Sequence, residues 1–277
     1  MFDASVPRLQ RVTGRAEVTL LAAPGRAARL DRLAQAGSAK AFLPRVHAAA
    51  PEVVFLNTAG GLTGGDRLAY ALGLGPGARA VATTQTAERA YGSTGGRARL
   101  EVDLDIGAGA ALDWLPQETI LFDASALDRR TRADLGAGAR FLMTESLVLG
   151  RQAMGERVTR LELDDWREVR REGRPVLIEP LRLTDAALGD RPALLAGARA
   201  LATVALVAPG AEDATGAVRA AIDGLPDGVV AAASGWDGKC VVRLRAADGW
   251  PLRGALARLL SVLRGGAALP RVWQGAA

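Results

Sequence analysis

Along Arg97-Ala-Arg-Leu-Glu-Val-Asp-Leu-Asp-Ile106, apolar residues hold every second position (Ala98, Leu100, Val102, Leu104, Ile106) and charges dominate the rest. Successive side chains point to opposite sides only in an extended chain, so this segment can bury one face only as a strand in a sheet. The same period of two marks Ala16, Val18 and Leu20, and again Leu68, Tyr70, Leu72 and Leu74. Apolar runs predict further strands at 40–46, 52–57, 78–86, 110–122, 139–149, 157–164 and 175–183. Pro116 has no N–H to give a ladder, so the strand at 110–122 is interrupted near Glu118.

Glycine punctuates these runs: 33 of 277 residues, enough for many tight turns. Three turns share a G-x-G-A phrase, at Gly75-Pro-Gly-Ala78, Gly107-Ala-Gly-Ala110 and Gly136-Ala-Gly-Ala139. Corners recurring about every thirty residues predict stacked β-layers. Ordinary hairpins in a meander remain the alternative. Helical periodicity comes late: Leu252, Leu256, Leu259, Leu260 and Leu263 form one stripe, with Pro251 in the first turn and Gly265-Gly266 beyond the end. A weaker helix is expected over 212–223, and buried strands over Ala200–Ala208 and Val229–Ala233. The expected fold is mainly β, a layered or helical β-fold (β-solenoid-like or β-sandwich) with a small C-terminal helical part. A single domain would cover 1–277, β-rich over about 14–208 and α+β over about 209–277.

The chain has one histidine, His47, and one cysteine, Cys240. A zinc cage of imidazoles and thiolates needs three or four such ligands, a disulfide framework needs pairs, and a histidine-dependent hydrolase would have to run through His47 alone. His47 reads as a surface or capping residue and Cys240 as a small core residue. Chemistry must rest on carboxylates, hydroxyls, amides, arginines and backbone. Net charge is +5, almost all the positive charge being arginine, interleaved with acids and not gathered into a stripe, which argues against nucleic-acid binding. The first twelve residues lack the apolar core of a signal peptide, and no apolar run approaches the ~20 residues that span a bilayer. The protein reads as soluble and cytoplasmic, without a membrane partner.

The glycine-rich segment Asn57-Thr-Ala-Gly-Gly-Leu-Thr-Gly-Gly-Asp66 follows a strand and precedes another. It carries no Gly-Lys-Ser/Thr and leads into no helix, so it is neither a phosphate loop nor a dinucleotide fingerprint. Asn57, Thr58, Gly60, Gly61, Gly64 and Gly65 build either tight β-corners or a loop for a ligand or partner. Thr83-Thr-Gln85 ends the next strand. Asp113, Gln117, Glu118 and Asp123 fall within an apolar stretch and Glu145 within another, so each must be paired, coordinate something or point outward. The Glu101, Asp103, Asp105 set could supply a carboxylate pair for glycoside hydrolysis. It reads more simply as a solvated face balanced by arginines, as do Glu162, Asp164 and Asp165. A carboxylate-dependent hydrolase on a β-solenoid is therefore the alternative function.

Phe42-Leu-Pro-Arg45, the Asn57–Asp66 string, Thr83-Thr-Gln85 with Tyr91, Trp114-Leu-Pro-Gln-Glu-Thr-Ile-Leu-Phe-Asp123, Leu149-Gly-Arg with Gly155-Glu156, and Leu269-Pro-Arg-Val-Trp273 stand in one order. With these motifs the chain, from around Gly14 to Trp273, resembles the urease accessory protein UreD (UreH) family. It departs from the family pattern at Glu88-Arg89, Gly92 and Pro180. The resemblance implies a non-enzymatic scaffold that binds UreF, through it the GTPase UreG, and docks on apo-urease. Nickel from UreG would pass onward to the urease active site, and no tightly bound cofactor is implied. Oxygen ligands hold a borderline cation more loosely than imidazole or thiolate, which suits transit. On that reading Asp66, Thr84, Gln85, Glu118, Asp123 and Glu145 line or gate a path for transient Ni2+, with Glu179 a weaker candidate.

Overall fold

The computed structural model describes residues 10–23, 25–45, 50–189 and 191–273. His47 lies outside the described residues. In chain order the strands are β1 (Thr13–Ala23), β2 (Arg26–Gly37), β3 (Ala39–Phe42), β4 (Glu52–Asn57), β5 (Arg67–Leu74) and β6 (Arg79–Thr84). Then come β7 (Glu88–Ala90), β8 (Ala98–Ile106), β9 (Ala111–Trp114), β10 (Thr119–Leu121), β11 (Ser125–Leu135) and β12 (Arg140–Leu149). The last five are β13 (Leu161–Arg171), β14 (Arg174–Thr184), β15 (Ala200–Val207), β16 (Val229–Trp236) and β17 (Lys239–Ala246), with helices α1 (Thr215–Asp223) and α2 (Gly249–Leu263).

The chain winds as a solenoid between two sheets. One sheet runs β14-β13-β11-β8-β5-β1-β2, the other β16-β17-β15-β12-β9-β6-β4-β3, with β10 on β12 and β7 on β10. In the first, β1, β5, β8, β11 and β13 are parallel neighbours, and antiparallel β2 and β14 close the ends. In the second, β4, β6, β9 and β12 are parallel neighbours. Three coils cross from the first sheet to the second through the G-x-G-A corners, β5 to β6, β8 to β9 and β11 to β12. These corners stack, the Gly107 amide donating to the Leu74 carbonyl and the Gly136 amide to that of Ile106, each at 2.8 Å. Stacked layers hold, and the meander is excluded: hairpins would have made these neighbours antiparallel.

The alternation reads directly as depth. In β8 the five apolar positions are buried and Glu101, Asp103 and Asp105 are exposed. Glu101 and Asp103 lie opposite Arg130 and Arg132 in the neighbouring strand. Inward residues stack into ladders from coil to coil, such as Val18, Leu72, Leu104, Ala133 and Val169, all buried between the sheets. A second core lies behind the other sheet, where Leu252, Leu256, Leu259, Leu260 and Leu263 of α2 pack with Val204, Val242 and Leu244. The Asp248 side chain caps α2, accepting from the Gly249 amide at 2.7 Å. Cys240 sits in this core, where burial pushes its thiol up.

Several expectations change. The strand expected at 40–46 stops at Phe42, ahead of Pro44. The one expected at 157–164 is displaced to Leu161–Arg171, and β2, β11 and β17 were not anticipated. In β11 and β13 the cause is common: Arg129, Thr131, Asp165 and Arg167 take inward positions and interrupt the apolar rhythm. Asp165 is thereby a core residue and not part of a solvated face; Trp166 takes the outer position, 41% exposed. Val229–Ala233 is an edge strand with Val230 outward, because β16 has a partner only in β17.

Candidate functional site

Arg129, Glu145, Asp165 and Arg167 meet between the sheets, each at most 5% exposed. Arg129 forks onto Asp165, Nε to Oδ1 at 3.0 Å and Nη2 to Oδ2 at 2.6 Å. Its Nη1 reaches Glu145 Oε2 at 2.9 Å and Thr119 Oγ1 at 3.0 Å. The other oxygen of Glu145 accepts from Trp114 Nε1 at 3.0 Å and Thr131 Oγ1 at 3.4 Å. Arg167 Nη2 adds a 3.0 Å contact to Asp165 Oδ2. Burial alone would raise the Asp165 carboxyl, but Arg129 and Arg167 hold it below its usual range. Arg129 is likewise held charged against the burial that would discharge it. Two charges of each sign keep this interior electrically balanced.

A narrow cavity of about 50 Å³ opens onto this cluster, room for a few waters. Of the residues that line it, Tyr70, Trp114, Gln117, Arg129 and Glu145 are buried, and Asn57, Thr84 and Glu88 are half-buried. Local sequence explains the opening. Pro116 ends β9, and Leu115 to Glu118 leave the sheet, so beside Thr83 and Thr84 strand β6 keeps β4 on one side and has no partner strand on the β9 side. Thr84 Oγ1 accepts the Gln117 amide at 2.9 Å instead.

The candidate residues thus divide. Thr84 and Glu145 line the cavity, as do Asn57 and Gly60 of the glycine-rich segment. Asp66 ties down a turn, accepting the Val12 and Thr63 amides at 2.8 Å each. Gln85 is exposed. Glu118 pairs with Arg253 at 3.3 Å on the α2 side. Asp123 takes the Thr159 and Arg160 amides at 2.7 and 2.9 Å, which hold its carboxyl below the usual range. Thr58 bonds the Ser38 carbonyl at 3.0 Å, and Gly61, Gly64 and Gly65 form the turn that packs on residues 89–97. Asp113 is paired by Arg140 and Arg264 at 2.6 and 2.7 Å. Among the described residues, no three His, Cys, Asp or Glu side chains gather to hold a metal ion.

Glu88 was missed as a site residue, although its place three residues after the Thr83-Thr-Gln85 string could have marked it. Asn57 Nδ2 donates to its carboxylate at 3.3 Å. Burial pushes the Glu88 carboxyl up to about 7, against the lowering effect of the Arg89 amide and Asn57. An acid raised in the folded state favours folding fully below its unfolded value of 4.5 and loses that contribution as pH rises to about 7. Glu88→Gln should abolish this loss. Urea titrations at pH 5 and pH 8 should show wild type losing about 2 kcal/mol more than the variant between the two. Parallel pH profiles would refute the assignment.

The match to known proteins now decides the lineage. The UreD urease accessory protein family model matches residues 12–274. This chain belongs to the UreD family. A urease accessory protein UreD of Cereibacter sphaeroides is 62% identical over 268 residues, 96% of both chains. Those of Dinoroseobacter shibae and Paracoccus denitrificans are 56% and 51% identical, covering 98% and 99% of this chain and 95% and 96% of theirs. The relatives are named accessory proteins of urease, and membership associates this UreD-family chain with urease maturation. Among its described residues, no helix is long and apolar enough to cross a membrane.

Proposed function

We propose that this chain serves urease maturation as a scaffold and nickel conduit: it binds apo-urease and, with UreF and UreG, enables GTP-dependent nickel insertion. It holds nickel as cargo in transit, has no turnover of its own, and works in the cytoplasm. The observation that carries this reading is the inter-sheet cavity of a UreD-family chain, with oxygen atoms from Thr84, Glu88, Gln117 and the arginine-paired Glu145, and no imidazole or thiolate among the described residues of its wall. Such donors bind Ni2+ weakly enough for release. Glu88, half-buried on this wall, would trade its proton for the cation, and the buried Glu145, held by Arg129 and Trp114, would mark the deeper end of the path. Asp66, Gln85, Glu118 and Asp123 stand off this wall, and their part would be to shape the turns and contacts around it.

Co-expression with the urease subunits and partner proteins tests the proposal. Glu145→Gln and Thr84→Val should leave co-purification with UreF and urease intact while lowering the nickel found per urease by elemental analysis. Wild-type nickel content in both variants would remove the conduit role. Loss of co-purification on deleting the chain tests the scaffold role separately.

A further inference from the structure

We propose that a second cavity between the sheets binds a small monovalent oxyanion through Arg167. This goes beyond the nickel reading and does not rest on it. The cavity, of about 200 Å³, lies where β13 and β14 meet β15 and β17, and its polar wall is Arg167, Glu179, Arg243, Thr203 and Glu145. Arg167 is only 4% exposed, yet its Nε and Nη1 have no hydrogen-bond partner among the described residues. A buried guanidinium with two nitrogens unanswered is costly, because each N–H has lost water without gaining an acceptor. Its ionic contact among the described residues, Nη2 to Asp165, uses neither of these nitrogens, and the Arg167 side chain stands on the cavity wall.

The acids on the wall do not answer them. Glu179 lies opposite Arg167 in the β13–β14 register, but both its oxygens are taken by Arg243. Both oxygens of Glu145 are taken by Arg129, Trp114 and Thr131. An incoming anion would therefore meet two arginines and the Thr203 hydroxyl, with the neighbouring carboxylates already engaged. A guanidinium suits a planar group with two oxygens, such as formate or bicarbonate. The remaining wall includes Leu147, Leu181, Leu201 and Leu244, which disfavours a dianion such as phosphate, whose desolvation is larger.

The test uses the full chain, co-purified with its partner if required for solubility, at fixed ionic strength with chloride as the balancing salt. Titrating 13C-formate or 13C-bicarbonate should give saturable binding by NMR or calorimetry, and phosphate should compete weakly. Arg167→Lys keeps the charge and loses the planar donors, and should weaken binding about tenfold or more, equivalent to about 1.4 kcal/mol. Should that variant fail to fold, Leu201→Phe, which narrows the cavity without touching a charge, should weaken binding instead. Absence of saturation above the chloride control, or undiminished affinity in the folded variant tested, overturns the proposal and leaves these donors to water. Tighter binding of phosphate than of formate overturns the monovalent preference.

Discussion

Arg129→Met is expected to destabilise the protein by about 3–5 kcal/mol, the loss typical when one partner of a buried ionic cluster is removed. Two carboxylates depend on this guanidinium. Asp165 would keep only the single contact from Arg167, and Glu145 only the neutral donors Trp114 and Thr131. The side chains are of similar length, so the penalty comes from stranded charge more than from an empty space. It follows that the deficit should be larger at pH 8 than at pH 5, because unpaired buried carboxylates take up protons as pH falls. Glu145→Gln should cost much less, about 1 kcal/mol, since the amide oxygen still accepts from Trp114 or Arg129. Urea denaturation with an unchanged slope and a lowered midpoint would report the effect. Equal stability of Arg129→Met and wild type would show that the cluster contributes nothing net.

Gly64→Ala should cost about 3 kcal/mol or more. A Cβ there would lie 2.3 Å from the Gly95 carbonyl oxygen, 2.7 Å from that of Gly96, and 2.0 Å from Ser93 Oγ. Two of those atoms are backbone, so relief requires the turn around Gly64 to part from residues 93–96. Gly60→Ala is the matched control four residues away. Its φ is +77° but a Cβ would touch nothing among the described residues, so only the left-handed backbone penalty of about 1 kcal/mol applies. Thermal unfolding should place Gly64→Ala well below Gly60→Ala. The reverse order would mean that close packing does not account for the doubled glycines. The stacked G-x-G-A corners work similarly, since a Cβ at Gly136 would fall 2.6 Å from the Ala108 nitrogen of the preceding coil.

The alternation of β8, the leucine stripe of α2 and the repeated corners were legible because each is a local periodicity, and periodicity is a property of the chain before it folds. The Asn57–Asp66 and Trp114–Asp123 strings carried the family in the same way. Asp165 was hidden among Glu162 and Asp164, because a run of acids gives no sign of which member meets an arginine 36 residues earlier. Glu88 looked like a polar strand end until Tyr70, two strands away in sequence, appeared on the wall of the same cavity. Amino-acid order alone determined a mainly β architecture with recurring glycine corners, its lineage and the poverty of nitrogen and sulfur ligands. Which carboxylates are buried, which arginine lacks acceptors among the described residues, and where a cavity opens between the sheets were decided only when the coils stacked, because burial and charge pairing depend on neighbours brought together across the stack and not along the chain.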